Sequence, residues 1–368
     1  MSRINVTKSS MPDFQEYIEE LRPVWDSRWL SNRGVASRKF EAALKEYLDV
    51  EHVYCFANGH VALEVAIDGL FLTKGAEVIT TPYTHVSTTH SIVRNGLVPV
   101  FVDVEEDNYT INPSLIEDAI TEKTVAIVAT HVYGFPCKVI EIEEIARKHN
   151  LYVIYDAAHA FGVTYKGVGI GNYGDMAMFS THATKVFHTI EGGLITYKDR
   201  DNDKLRPMRK IVNFGFTSQE DIDFIGTNAR MNEFEAVMGI VNLRHIDEEI
   251  AKRKVATERY WERLDNVKGI KLIKPDADTI WNYSYFPAIF DGYKMERNEI
   301  QTKLAESNIF ARKYFYPITN EAACYKEMYG KANVPIAKHA ADCILTLPMY
   351  ADLSVGEVDK ICDIVLGY

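Results

Sequence analysis

Asp156, His159 and Lys185 fall within one stretch, Leu151 to Tyr197, in an order that suits a particular chemistry. LYVIYDAAHAFG reads as an apolar strand that delivers Asp156 and His159 at its end. MAMFSTHATKVFHTIEGGLITY then reads as a second short strand, the lone Lys185, a Glu191-Gly192-Gly193 turn and a return strand. Pyridoxal phosphate (PLP) needs a lysine amine to condense with its aldehyde. It also needs a carboxylate that keeps its pyridine nitrogen protonated, so that the ring can accept electrons. Lys185 and Asp156 would fill those two roles. Each is ordinary alone, since aspartates often end strands and a lysine near a Gly-Gly turn is usually solvated. The constellation carries the reading.

The elements that must position these groups are legible as well. TVAIVATHVYG is a continuous apolar run, as expected of a strand buried on both faces of a parallel sheet. A helix, VIEIEEIARKHN, and then LYVIYD complete a right-handed strand-helix-strand unit with His131 and Asp156 at strand ends, where such sheets hold ligands. VYCFANGHVALEVAIDGLFL passes from a strand into a helix that begins at Asn58-Gly59-His60. Unpaired N–H groups and the helix dipole make that turn an anion site, and Gly59 permits close backbone approach. EVITTPYTHVSTTHSIV, holding His85, is a strand, a loop and a helix, and LVPVFVDV is a further strand. Asp103 at its end shapes a turn.

These motifs resemble the sugar-nucleotide aminotransferases of the DegT/StrS type, which have the aspartate-aminotransferase fold. The resemblance runs from RWLSNRG (Arg28 to Gly34) to LTLPMY (Leu345 to Tyr350). It implies an α/β protein of PLP-dependent transferase fold type I. A large, mostly parallel α/β/α domain would span 1–250 and a small C-terminal α+β domain 251–368. It implies that Gly59 and His60 meet the cofactor phosphate, with His60 standing where the family usually has Ser or Thr. Ser180 would add a hydroxyl to that phosphate, and His159 would lie near the phenolic oxygen. His85 would stack on the pyridine ring, unless it is a plain loop histidine. Asn228 would reach the partner's PLP phosphate across a homodimer; as an N-cap for a helix beginning near Met231 it reads equally well. Arg33 is either a phosphate contact or a solvated side chain.

The implied reaction is transamination with glutamate as donor and a nucleotide sugar as acceptor. Family members that aminate carbon 4 tend to carry a histidine at the position of His159, whereas those acting on carbon 3 carry glutamine and a Tyr-Pro-Gly-Lys run. DAAHA and STHATK therefore favour dTDP-4-dehydro-6-deoxy-glucose aminated at carbon 4. UDP- or GDP-linked 4-keto sugars, 3-keto sugars and a non-catalytic PLP-binding regulator are the alternatives. A dehydratase of the family would have histidine in place of Lys185.

Composition is compatible with such an enzyme. The chain has 368 residues, 47% hydrophobic and 25% charged, with a formal charge of -11 that disfavours general nucleic-acid binding. Five cysteines without C-x-x-C spacing suggest neither a zinc site nor a disulfide framework, and fit a reducing cytoplasm. No leader-like or membrane-spanning run is expected.

Elsewhere, residues 12 to 25 form a helix opened by Pro12, and a second helix buries Phe40, Ala43, Leu44 and Tyr47. DRDNDKLRPMRK is a charged connection. A long helix runs from Asn232 to about Asn266. KLIK, WNYSYFPAIF and FARKYFYPI read as strands, MERNEIQTKLAESNI as a helix, and Ser354 to Glu357 as a capping box for the last helix.

Overall fold

The structure, a computed structural model, describes residues 3–198 and 207–368. Two helices, α1 (Phe14–Ser27) and α2 (Val35–Leu48), precede β1 (His52–Phe56) and α3 (Gly59–Asp68). They are followed by β2 (Glu77–Thr80), α4 (Val86–Arg94), β3 (Val98–Phe101), β4 (Thr124–Thr130), α5 (Val139–His149) and β5 (Tyr152–Asp156). A short hairpin, β6 (Thr164–Tyr165) and β7 (Val168–Gly169), leads to β8 (Met176–Ser180), β9 (Gly193–Tyr197), α6 (Pro207–Ile211) and α7 (Glu233–Leu264). The rest comprises β10 (Ile270–Leu272), β11 (Thr279–Ile280), β12 (Phe286–Phe290), α8 (Arg297–Glu306), α9 (Lys326–Tyr329), α10 (Pro335–Cys343), β13 (Ile344–Leu347) and α11 (Val355–Leu366).

The main sheet has the order β1-β9-β8-β5-β4-β2-β3. The pairs β2–β3, β2–β4, β4–β5 and β5–β8 are parallel, while β9 runs antiparallel to both β8 and β1. The expected return strand is thus β9. Two apolar cores follow from burial on both faces. One places Ile79, Ile127, Val153 and Phe179 beneath α2, α5 and α7; the other places Val78, Val128, Ile154 and Met178 beneath α3. Alternate residues of each strand thus face opposite cores, as the pleat requires.

The smaller unit is the antiparallel sheet β10-β12-β13 packed on α8 and α11. Residue 250 falls inside α7, which at 32 residues is about 48 Å long. Its first half packs on the large core through Ala236, Val237 and Ile240, and its second half joins the small one through Ala256, Tyr260 and Leu264. The units are interleaved further, since Ile4 bridges Ile309 and β11 pairs with β6.

Helix ends match their chemistry. Asp13, not Pro12, caps α1, accepting from the Gln15 and Glu16 N–H groups. Asn232 with Glu235 and Ser354 with Glu357 form complete capping boxes on α7 and α11. Asn232 therefore takes the capping role that Asn228 was a candidate for. The buried Glu233 carboxylate accepts from the N–H groups of Gly34 and Ala36 at 2.8 and 2.7 Å and from Ser37 Oγ, so it caps α2 from the start of α7.

Two expected strands are not strands throughout. Among the described residues, FARKYFYPI makes only the Arg312–Thr346 bridge. Consecutive side chains of a strand point to opposite faces, whereas Tyr314 and Phe315 both line one cavity. In WNYSYFPAIF only Phe286–Phe290 is β12; Trp281 to Tyr285 cross to the large unit instead. Most of the charged connection DRDNDKLRPMRK lies outside the described residues, and Pro207 to Lys210 within it are helical.

Candidate active site

Strand ends and one helix start converge on a cavity of about 510 Å³. Asp156 ends β5, Ser180 ends β8, and the loop after β8 brings Lys185 back over them. Asn58 caps α3 by accepting from the Val61 N–H at 2.9 Å, which aims the first turn of that helix at the same space. Close backbone packing needs the glycines. A Cβ on Gly193 would lie 2.6 Å from the backbone N of Gly59, and one on Gly192, where φ is 156°, would lie 2.1 Å from Thr189 Oγ1. The Glu-Gly-Gly turn thus exists because β9 runs directly against the start of α3.

The carboxylate of Asp156 is held from below. Its Oδ2 accepts from Thr88 Oγ1 at 2.6 Å and its Oδ1 from the Ala158 N–H at 3.1 Å. Thr88 in turn meets Thr84, which accepts from Thr130, so three buried hydroxyls form a chain beneath it. Lys185 Nζ donates to the Tyr285 hydroxyl at 3.4 Å and has no ion pair among the described residues.

His159 Nδ1 accepts from the Tyr133 N–H at 3.0 Å, so the neutral ring carries its proton on Nε2. Burial, reinforced by the positive charge of Lys185, holds its pKa well below the ordinary value, and the ring stays neutral near pH 7. His85 is depressed for the same two reasons. Its Nδ1 accepts from the Ser87 N–H and its ring lies edge-on to Phe315.

The cavity brings together Gly59, His60, His85, Asp156, His159, Ser180 and Lys185. His60 has its ring nitrogens engaged by Ser87 Oγ at 2.7 Å and Glu64 at 3.1 Å, so its backbone and not its imidazole is free for a ligand. Asn228 does not line the cavity of its own chain. It bridges Asn213, and its Oδ1 accepts from Arg230. His131 also stays out; it is fully buried, stacks on Tyr155, and burial pushes its pKa down to about 3. Arg33 pairs with Glu41 and lies over Tyr54, away from the cavity.

Several lining or supporting residues escaped the sequence reading. Arg312, Tyr314 and Phe315 come from the segment read as a strand, and Phe315 stacks parallel to His159 with ring centres 5.9 Å apart. Asn282 donates to the carbonyls of His159 and Phe161, and Ser284 Oγ to that of Tyr133. The aromatic residues of WNYSY and FARKYFYP are favoured in strands, so the local sequence carried no signal that set these residues apart as cavity lining.

Residues 13–366 match the DegT/DnrJ/EryC1/StrS aminotransferase family. The chain belongs to this family. Among its relatives is the dTDP-4-amino-4,6-dideoxy-D-glucose transaminase of Escherichia coli, 40% identical over 99% of this chain and 98% of that one. The structure of DesI in the presence of its TDP-sugar product superposes with a TM-score of 0.93 at 29% identity, covering 99% of this chain and 92% of that one. Spr1654 from Streptococcus pneumoniae in its PLP form superposes with a TM-score of 0.91 at 26% identity, over 98% and 97% of the two chains. The fold is therefore that of the PLP-dependent sugar aminotransferases, and the chain is an aminotransferase.

The residues present fit PLP. A Cβ on Gly59 would stand 3.1 Å from Ser180 Cβ, so the glycine keeps the start of α3 open beside a hydroxyl, a cradle for phosphate. A lysine amine without a carboxylate partner and a buried aspartate face the same cavity.

Proposed function

We propose that this aminotransferase moves an amino group from glutamate to carbon 4 of dTDP-4-dehydro-6-deoxy-glucose, giving dTDP-4-amino-4,6-dideoxy-D-glucose. The observation that carries the chemistry is the convergence of Lys185, Asp156 and His159 on one cavity. The observation that favours this substrate is the full-length similarity to the Escherichia coli transaminase of that product.

Gly59, His60, Ser180, His85, Asp156, His159 and Lys185 would hold the cofactor. When bound, PLP supplies an electron-accepting ring that makes the C–H bond next to nitrogen acidic. Asp156, oriented by the Thr88 hydroxyl and the Ala158 N–H, would hold the proton on the pyridine nitrogen. His159, neutral with its proton on Nε2, offers a hydrogen-bond donor without adding charge. Lys185 Nζ would anchor the cofactor and, when free of it, would serve as the base that carries the substrate proton, with the Tyr285 hydroxyl within reach to hold the amine. Tyr314 and Phe315 wall the cavity against water, and Arg312 at its edge supplies a positive charge for an anionic substrate.

A homodimer completes the site in this reading. The segment carrying Asn228 exposes Phe214, Ile222 and Ile225, the last at 97%, which is the apolar signature of a covered face. All five cysteines are free, as suits the cytoplasm, and among the described residues no helix is long and apolar enough to cross a membrane. Incubation with glutamate and the dTDP-linked 4-keto sugar, followed by NMR of the product, tests the proposal. Nitrogen on carbon 3, or turnover only with a UDP- or GDP-linked sugar, would overturn the substrate assignment.

A further inference from the structure

Far along the chain from the catalytic residues, three different metal-ligating side chains meet on the small unit. His339 and Cys343 lie four residues apart on α10, so both project from one face of that helix. Asp291, just after β12, approaches from the other side. Its Oδ2 lies 3.1 Å from His339 Nε2, and Cys343 Sγ lies 3.9 Å from the same nitrogen. The ligand atoms of all three are within 4.8 Å of one another. An ion bound at about 2.0–2.3 Å in tetrahedral geometry holds its ligand atoms roughly 3.3–3.6 Å apart, so the observed separations bracket the required ones. Sγ is nearly equidistant from both ring nitrogens, and the exposed imidazole must turn to share an ion with it. Its terminal torsion is broad, which makes that turn easy.

The setting favours a bound cation. Asp291 and His339 stand at the edge of a groove of about 520 Å³ that also borders Glu106 and Lys271. Water from the groove can fill a fourth position. The Lys271 ammonium, which also borders the groove, is turned to the Glu106 carbonyl and lies over the Tyr109 ring. None of the three ligands lines the cavity of Lys185.

We propose that Asp291, His339 and Cys343 form a binding site for a thiophilic divalent cation of the zinc class. The mixed sulfur, nitrogen and oxygen set selects such an ion over magnesium or calcium, which prefer oxygen alone. Bound there, the ion would join the end of α10 to the end of β12. Since Asp103 of the large unit already caps the start of α10 by accepting from the Ile336 and Ala337 N–H groups, α10 would then be fixed at both ends.

Titration of the purified holoenzyme with Co²⁺ tests the site, because thiolate-bound tetrahedral cobalt absorbs at longer wavelengths than the cofactor. The expected result is one such chromophore per chain, displaced by Zn²⁺, lost in Cys343→Ser, and weakened more than about tenfold in His339→Ala and in Asp291→Asn. Cys324→Ser, which alters an exposed cysteine elsewhere, should leave it unchanged. Absence of the chromophore in the wild type, or its persistence in Cys343→Ser, would overturn the proposal.

Discussion

Thr88 Oγ1 donates to Asp156 Oδ2 at 2.6 Å from inside the protein, and the Ala158 N–H engages the other oxygen. The aspartate therefore enters the cavity already oriented, with both of its carboxylate oxygens engaged. Removing a hydrogen bond to a buried charged group costs about 1.5–3 kcal/mol. Thr88→Val should accordingly lower kcat/KM by roughly 10- to 100-fold if that stabilisation is felt in the transition state. Thr88→Ser, which restores the hydroxyl, should recover most of it. Equal activity in the valine and serine variants would separate the hydroxyl chain from catalysis.

Lys185→Ala should abolish turnover, since no other amine among the described residues lines the cavity except the guanidinium of Arg312. Arginine stays protonated and cannot accept the proton. Lys185 sits on a loop and makes only a long contact to Tyr285, so the variant should retain the melting temperature of the apoprotein. Steady-state rates and circular dichroism measured together decide this. Residual turnover near the wild-type rate would remove Lys185 from the mechanism.

Much of this site could be read from the sequence because its parts obey local rules. Asp156 follows an unbroken apolar run, Asn58-Gly59-His60 opens a periodic helix, and Gly192-Gly193 marks a tight turn. Each signal lies within a few residues of the group it positions. What stayed hidden depends on contacts between segments far apart in the chain. Asn282 holds the carbonyl of His159 from 123 positions away, and Tyr133 Oη donates to the Tyr314 carbonyl from 181 away. Their local pattern, alternating aromatic and polar residues, was that of a strand. Tertiary packing overrode it, turning FARKYFYPI into a loop whose Tyr314 and Phe315 line one cavity. His131 erred the other way: it occupies a strand end, where ligand groups gather, yet the Cys137 N–H and Tyr155 engage it within the core.

Burial of neutral histidines gives stability a definite pH dependence. His131 and His159 are both depressed in the folded protein, His131 to about 3, whereas an unfolded histidine titrates near about 6.5. Between those values the unfolded chain binds protons that the folded chain refuses. Stability is thus complete above about pH 6.5 and falls as pH drops below it, each group contributing up to ~1.4 kcal/mol per pH unit. Urea midpoints between pH 7 and 5 should fall, and His131→Gln should flatten the curve. A midpoint independent of pH over that range would contradict the burial of these rings as neutral species.

Glu233 at the start of α7 holds α2 in place, because its buried carboxylate gathers three N–H groups and the Ser37 hydroxyl. A Cβ on Gly34 would approach that carboxylate to 2.6 Å, so the contact also explains the glycine. Glu233→Ala leaves these donors unpaired, at about 1–3 kcal/mol for each left without water. The thermal midpoint should drop by several degrees. An unchanged midpoint would mean that water or another acceptor replaces the carboxylate fully.

The dimer can be tested through catalysis as well as through mass. In the proposed assembly each site takes Lys185 from one chain and Asn228 from the other, although within a single chain Asn228 lies outside the cavity. Homodimers of Lys185→Ala should be inactive, and those of Asn228→Ala should bind cofactor weakly and turn over slowly. In a hybrid of the two, one site combines the intact Lys185 of one chain with the intact Asn228 of its partner, while the other site has lost both. Co-refolding equal amounts should therefore restore about a quarter of wild-type activity, from half the dimers being hybrid with one working site each. A merely additive mixture, with no more activity than the two parents measured apart, would show that each chain builds its site alone.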